Sequence, residues 1–227
     1  CHADTNLVCL QQIRILERGI LDASVGMVDE FLGADAVAAV GLVNQPRMIM
    51  LCLFFALNVG ITAVVARRKG ENRQAEANAA LRTAIVMILL LSAVLMALLM
   101  PLSSALMRFA GAEEGRTLEL STDYFMILGC ALPFQALSMG ICAAQRGVGN
   151  TKLTMQVNIT SNIVNVIFNY LLINGIGPFP RLGVHGAALA TAIGMVVGFL
   201  LSIRAIYHDH TGFLRLTPHD SWKPDMD

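Results

Sequence analysis

Four asparagines, Asn158, Asn162, Asn165 and Asn169, are spaced 4, 3 and 4 apart, with Thr154 one turn earlier, in a run that carries no charged residue from Leu153 to Pro180. At 3.6 residues per turn this spacing sets all five on one helical face. Carboxamides are costly against lipid, so the stripe must turn toward partner helices or a watery cavity. A single Asn does no more than bond a neighbouring helix, whereas four in register are the lining of a cavity. The preceding run repeats the pattern with Gln135, Ser138, Cys142 and Gln145, spaced 3, 4 and 3, which helical geometry again gathers on one face. Asn58, Thr62 and Thr191 extend the polar lining, although a lone Thr often bonds the carbonyl four residues before it. Asn58, Gln135, Ser138, Asn158 and Asn162 are thus candidates to line a ligand cavity.

Asp29 is the acid whose setting could do chemistry. It stands in Gly26-Met-Val-Asp-Glu-Phe-Leu-Gly33, an apolar stretch closed by glycine. A carboxylate desolvated in a membrane bundle has a raised pKa, and can take up and release a proton or hold Na⁺. The plainer alternative is that Asp29 caps a helix or sits among lipid head groups.

The elements that must position these residues follow from composition. Of 227 residues 56% are hydrophobic and 14% charged, with a mean hydropathy of +0.63, above the soluble range of about 45–50% apolar. The excess is concentrated: Met48 to Ala66, Thr83 to Leu102, Tyr124 to Gln145, Leu153 to Pro180 and Gly186 to Ile203 hold no Asp, Glu, Lys, Arg or His. Runs of about 18 or more such residues cross a hydrocarbon core as helices, and alternating ten-residue segments of a barrel are absent. The expected fold is all-α, a polytopic helical bundle of about six membrane helices with the first degenerate or truncated. That first helix falls on Ile13 to Phe31, where Arg14, Glu17, Arg18, Asp22, Asp29 and Glu30 make a clean span or signal peptide implausible. With Cys1 in place of Met, the natural start is expected to be missing or altered.

Residues 1–33 are accordingly read as the degenerate first-helix region, 34–207 as membrane helices two to six, and 208–227 as a polar cytoplasmic tail or linker. Basic residues fall in alternate connections: Arg67, Arg68, Lys69 and Arg73, then Arg146 and Lys152, then Arg204, Arg215 and Lys223. The positive-inside rule makes these cytoplasmic. Pro46 and Pro133 are expected to bend their helices, and Gly194-x-x-x-Gly198 suits close helix packing.

Other functions find little footing. Sixteen basic residues balance sixteen acidic ones, so no surplus points to nucleic acid. Cys52, Cys130 and Cys142 lie inside spans, and no C-x-x-C pair indicates a disulfide framework or a zinc site. Gly147-Val-Gly-Asn-Thr-Lys152 does not fit a phosphate-binding loop and reads as a tight turn. Asn158-Ile-Thr160 is a glycosylation sequon only by chance, and no nucleophile elbow, H-E-x-x-H or Walker motif argues for an enzyme.

In order and spacing, Val28-Asp29 with Phe31-Leu-Gly33 and Ala38-Ala-Val-Gly41, Gln145-Arg-Gly-Val-Gly-Asn-Thr-Lys152, Asn162-Ile-Val-Asn-Val-Ile-Phe-Asn-Tyr-Leu-Leu-Ile173 and Gly183-Val-His-Gly-Ala-Ala-Leu-Ala-Thr191 resemble the multidrug and toxic compound extrusion (MATE) family. The resemblance runs from about Gly26 to about Ile206 and covers an amino-terminal lobe, one of two six-helix halves related by pseudo-two-fold symmetry. It implies a cell-membrane antiporter that exports cationic or amphipathic drugs against H⁺ or Na⁺, with no other cofactor. It also implies a requirement for a second lobe or a second copy of this chain. Carried over by position, the family's acid on its first helix matches Asp29, and its polar cluster on the fifth and sixth helices matches Asn165, Asn169 and Thr191, which together make the candidate cation site. Some members have Asp where this chain has Asn169, so the site here holds one fewer charge. The start departs from the family, whose first helix opens apolar and often with proline, where this chain has the charged Cys1 to Asp22. A lipid-linked sugar flippase of the same superfamily, expected to show a more cationic cavity, and a non-transporting membrane scaffold or fragment are the alternatives.

Overall fold

The computed structural model describes residues 34–112, 114–175, 182–208 and 213–214. Six helices run through them: α1 (Ala34–Gly70), α2 (Gln74–Leu99), α3 (Ser103–Phe109), α4 (Arg116–Gly147), α5 (Thr151–Asn174) and α6 (Val184–His208). Among the described residues there is no strand, and the molecule is the all-α membrane bundle that its composition demands. Asp29 lies outside the described residues, as does most of the 208–227 tail.

The runs Met48 to Ala66, Tyr124 to Gln145 and Gly186 to Ile203 are interiors of longer helices, because flanking charged residues prolong the backbone ladder into the head-group region without breaking it, whereas the Thr83 to Leu102 and Leu153 to Pro180 runs extend past the ends of α2 at Leu99 and α5 at Asn174. Four helices, α1, α2, α4 and α6, are long and apolar enough to cross a membrane. The Leu153 run folds as the 24-residue α5, long enough to cross a core of about 30 Å, but its asparagine stripe leaves it without a stretch as apolar as those in the other four. Pro46 and Pro133 lie inside α1 and α4, which continue through them. In a bundle, neighbouring side chains and small backbone adjustments absorb the freed carbonyl. The short α3 fills a connection that hydropathy alone leaves blank.

Helix ends follow local chemistry. α5 stops at Gly175, which takes a left-handed conformation (φ 65°) and returns its N–H to the Leu171 carbonyl, the usual glycine stop. Between α4 and α5, Gly149 at φ 83° lets the chain reverse, so Gly147 to Lys152 is the tight turn its sequence describes.

α4 is the central helix, packed against α1, α2 and α6, and α6 in turn lies along α5. One core gathers Val43, Phe54, Ile88, Leu128 and Ala188, and a second, at the other end, gathers Val65, Leu81, Ala144, Ile206 and Leu214. The second core explains the two described tail residues: Leu214 is fully buried, and the Phe213 carbonyl accepts from Gln74 Nε2 at 2.8 Å. Ile49, Val59, Leu90 and Leu200 meanwhile point outward, each more than half exposed, as lipid-facing side chains must.

The basic connections meet at one end. Lys69 Nζ donates to the Val148 carbonyl, tying the α1–α2 turn to the α4–α5 turn, and the Gln74 to Phe213 bond adds the segment after α6. Within the first turn Arg67, Arg68 and Arg73 surround Glu71. The hydrogen bond from Arg67, with charge from all three arginines, holds the Glu71 carboxyl below its ordinary range. At the opposite end the ion pairs among the described residues are Arg108 with Glu114 and His185 with Asp123.

Candidate functional site

The α5 stripe meets α6 through a directional chain of hydrogen bonds. Asn169 Nδ2 donates to Asn165 Oδ1 at 3.2 Å, Asn165 Nδ2 donates to Thr191 Oγ1 at 3.1 Å, and the Thr191 hydroxyl donates to the Ala187 carbonyl at 2.9 Å. Asn169 is fully buried, while Asn165 and Thr191 are half-buried. The Tyr124 side chain, from α4, lies close to the same Thr191. The structure therefore brings together Asn165, Asn169 and Thr191 and adds Tyr124, which the sequence marks only as the start of an uncharged run. Such a chain polarises itself, each donor strengthening the next.

Close approach of α5 and α6 makes these bonds possible. A Cβ on Gly194 would stand 3.1 Å from both Asn165 Cβ and the Ser161 carbonyl, and one on Gly198 would press on Ser161 Oγ. The small-residue motif on α6 thus lets the two backbones approach until carboxamide and hydroxyl meet.

The second polar face serves helix contact. Ser138 Oγ lies 2.9 Å from Ser202 Oγ, Ser202 donates to the Gly198 carbonyl, and Thr154 Oγ1 donates to the Cys142 carbonyl at 3.3 Å. Thr62 donates to the carbonyl of Asn58, four residues earlier, and also lies 3.1 Å from the Ala143 carbonyl. Asn58 is buried, and among the described residues neither the nitrogen nor the oxygen of its carboxamide has a partner. It faces α4 near Gly140 and is not among the residues of the cleft described next. Asn158 and Asn162 are half-buried on α5, also away from that cleft.

The cleft lies between α1, α4 and α6. Arg47, Met50, Phe125, Leu132, Gln135 and Met195 line it, and Leu132 and Met195 sit near the midpoints of α4 and α6. Of the cavity residues expected from sequence, Gln135 is the one it contains. Arg47 was hidden by counting: it lies between Pro46 and the uncharged run that begins at Met48, so it looks like the edge of a span. The 3- and 4-residue spacing of Val43, Arg47, Met50 and Phe54 would have placed it on the buried face of a helix that starts well before it.

Neutral amide and hydroxyl oxygens can solvate a cation or relay a proton, yet they bring no charge of their own, and among the described residues no group of His, Cys, Asp and Glu could hold a metal ion.

The MatE family model matches residues 14–171. Over 179 residues the chain is 29% identical to the probable multidrug resistance protein YoeA of Bacillus subtilis, covering 78% of this chain and 38% of that protein. Over 171 residues it is 32% identical to the FAD transporter of Shewanella oneidensis, covering 75% of this chain and 38% of that one. Among solved structures, a MOP superfamily transporter from Pyrococcus furiosus superposes with a TM-score of 0.87 at 23% identity, over 96% of this chain and 47% of that chain. The chain spans about two fifths of the length of these curated relatives and under half of the solved transporter.

Proposed function

This chain belongs to the MatE family, and from that premise we propose that it is one lobe of a cation-coupled antiporter in the cell membrane. The antiporter exports cationic or amphipathic drugs in exchange for H⁺ or Na⁺ and works with a second lobe or a second copy of this chain. The observation that carries the reading is the match of nearly the whole chain to one half of a transporter of twice its length. The asparagine and threonine chain between α5 and α6 supports it, because polar side chains inside a membrane bundle mark substrate and ion pathways.

Coupling follows if drug and ion favour opposed states of one bistable lobe. Occupancy of Asp29 by a proton or Na⁺ changes the packing of the first helix, and Asn165, Asn169 and Thr191 supply neutral oxygens to the same ion. A ligand shifts a conformational equilibrium only by its difference in affinity for the two states. The two ligands therefore exchange stoichiometrically when each binds the state the other disfavours.

The test is efflux of a fluorescent amphipathic dye from proteoliposomes holding the chain with its second lobe or second copy, under imposed H⁺ or Na⁺ gradients. Gradient-driven efflux that falls about tenfold or more in Asp29→Asn is the expected result. Efflux indifferent to both the gradients and Asp29→Asn overturns the reading.

A further inference from the structure

α6 ends at His208, yet the chain beyond it still reaches the bundle interior. Leu214 is 1% exposed and belongs to the core built from Val65 of α1, Leu81 of α2, Ala144 of α4 and Ile206 of α6. Phe213 packs against that core, partly buried, and its carbonyl accepts from Gln74 Nε2 at 2.8 Å. One leucine from outside the helices thus completes the packing where the ends of four helices converge.

Its attachment differs from that of the helical members of this core. Leu81 and Ala144 lie within α2 and α4, so either leaves its place only if a backbone ladder comes apart. Leu214 lies in no helix. It is held by the burial of its own side chain and, at the next residue, by the exposed hydrogen bond from Gln74, which water replaces at small cost. The bond from Lys69 to the Val148 carbonyl joins the α1–α2 and α4–α5 turns independently, so these turns stay tied when Leu214 withdraws. Segments held by few buried side chains open locally at far lower free energy than the whole fold. Withdrawal of Leu214 would open an apolar seat among four helices at the end that carries the basic connections.

The positive-inside rule sets that end in the cytoplasm, where an exported substrate enters. Resting on the export reading, we propose that Leu214 is a releasable plug. Seated, it shuts the cytoplasmic end of this lobe; withdrawn together with Phe213, it opens a path for water and substrate between α1, α2, α4 and α6. The Gln74 bond is the catch that closes over the seated leucine.

The test is thiol labelling in inside-out membrane vesicles, in a background with the native cysteines replaced. Ala77→Cys, at a fully buried position of the seat, is challenged with a water-soluble maleimide, and Ala188→Cys, equally buried in the other core, reports general unfolding. Ala77→Cys should react slowly, and about tenfold or more faster with Leu214→Ala, because truncating a buried leucine favours the open form. Leu214→Met, which conserves volume, should restore the slow rate, and Ala188→Cys should stay unreactive throughout. Val65→Cys, on the α1 side of the seat, gives the same reading if Ala77→Cys folds poorly. Seat cysteines that react only when Ala188→Cys reacts too, or at a rate indifferent to Leu214→Ala, make Leu214 fixed core and overturn the plug. In proteoliposomes with the second lobe or second copy, Leu214→Ala should lower the dye concentration that half-saturates efflux without raising the maximal rate, since the open form is already populated. A half-saturating concentration unchanged by Leu214→Ala overturns the plug as the substrate's gate. Export is judged separately: no gradient-driven efflux from any variant sinks the export reading, while the labelling rates still decide whether Leu214 withdraws.

Discussion

A carboxamide on a membrane helix has a donor and an acceptor to satisfy, and Asn165 satisfies both, giving its amide to Thr191 and its oxygen to Asn169. Removing the Thr191 hydroxyl strands the Asn165 amide in a half-buried site, at a cost of about 1 kcal/mol, the usual scale for such bonds in water and in membranes. Thr191→Val should therefore lower the thermal unfolding midpoint of the purified chain by a few degrees. Asn162→Ala, which removes a half-buried group that makes no hydrogen bond among the described residues, should leave it within error. Equal losses in the two variants would show that the stripe acts as one unit and not as a local chain of bonds. The face of α5 was legible because a period of 3.6 acts within one element. The partners were not, since nothing in the spacing of asparagines says which threonine of a later helix, or which tyrosine of an earlier one, comes to meet them.

At the scale of elements, contact is set by backbones that approach where side chains vanish. A Cβ on Gly186 would stand 2.8 Å from the Leu172 carbonyl, a backbone atom that cannot swing aside, whereas one on Gly41 meets nothing within 4 Å. Gly186→Ala should push α6 from α5 and cost about 1–3 kcal/mol, the range for overpacking a tight site. Gly41→Ala should be neutral or slightly stabilising, as alanine is the better helix former. Thermal unfolding of the two variants side by side checks this, and a tolerated Gly186→Ala would mean that the contact is looser than drawn. The Gly194 and Gly198 pair could be found from its four-residue spacing, but Gly186 stands outside that motif at the start of a helix. Its role depends on the end of α5, which only the fold brings alongside. Helix bounds blurred for a related reason: absence of charge marks the hydrocarbon interior, while hydrogen bonding carries α1 and α4 on through prolines and charged flanks.

For the whole molecule the decisive feature is polarity along the bundle. The connections rich in Arg and Lys are physically joined, through Lys69 with Val148 and Gln74 with Phe213, while the opposite end carries balanced pairs, Arg108 with Glu114 and Asp123 with His185. Surplus positive charge resists translocation, so the joined end should stay in the cytoplasm. In a background with the native cysteines replaced, Asn72→Cys at the α1–α2 turn should react with a membrane-impermeant maleimide only after the cells are opened. Glu114→Cys, before α4, should react in intact cells. The reverse pattern would invert the bundle, and labelling of both in intact cells would mean mixed insertion.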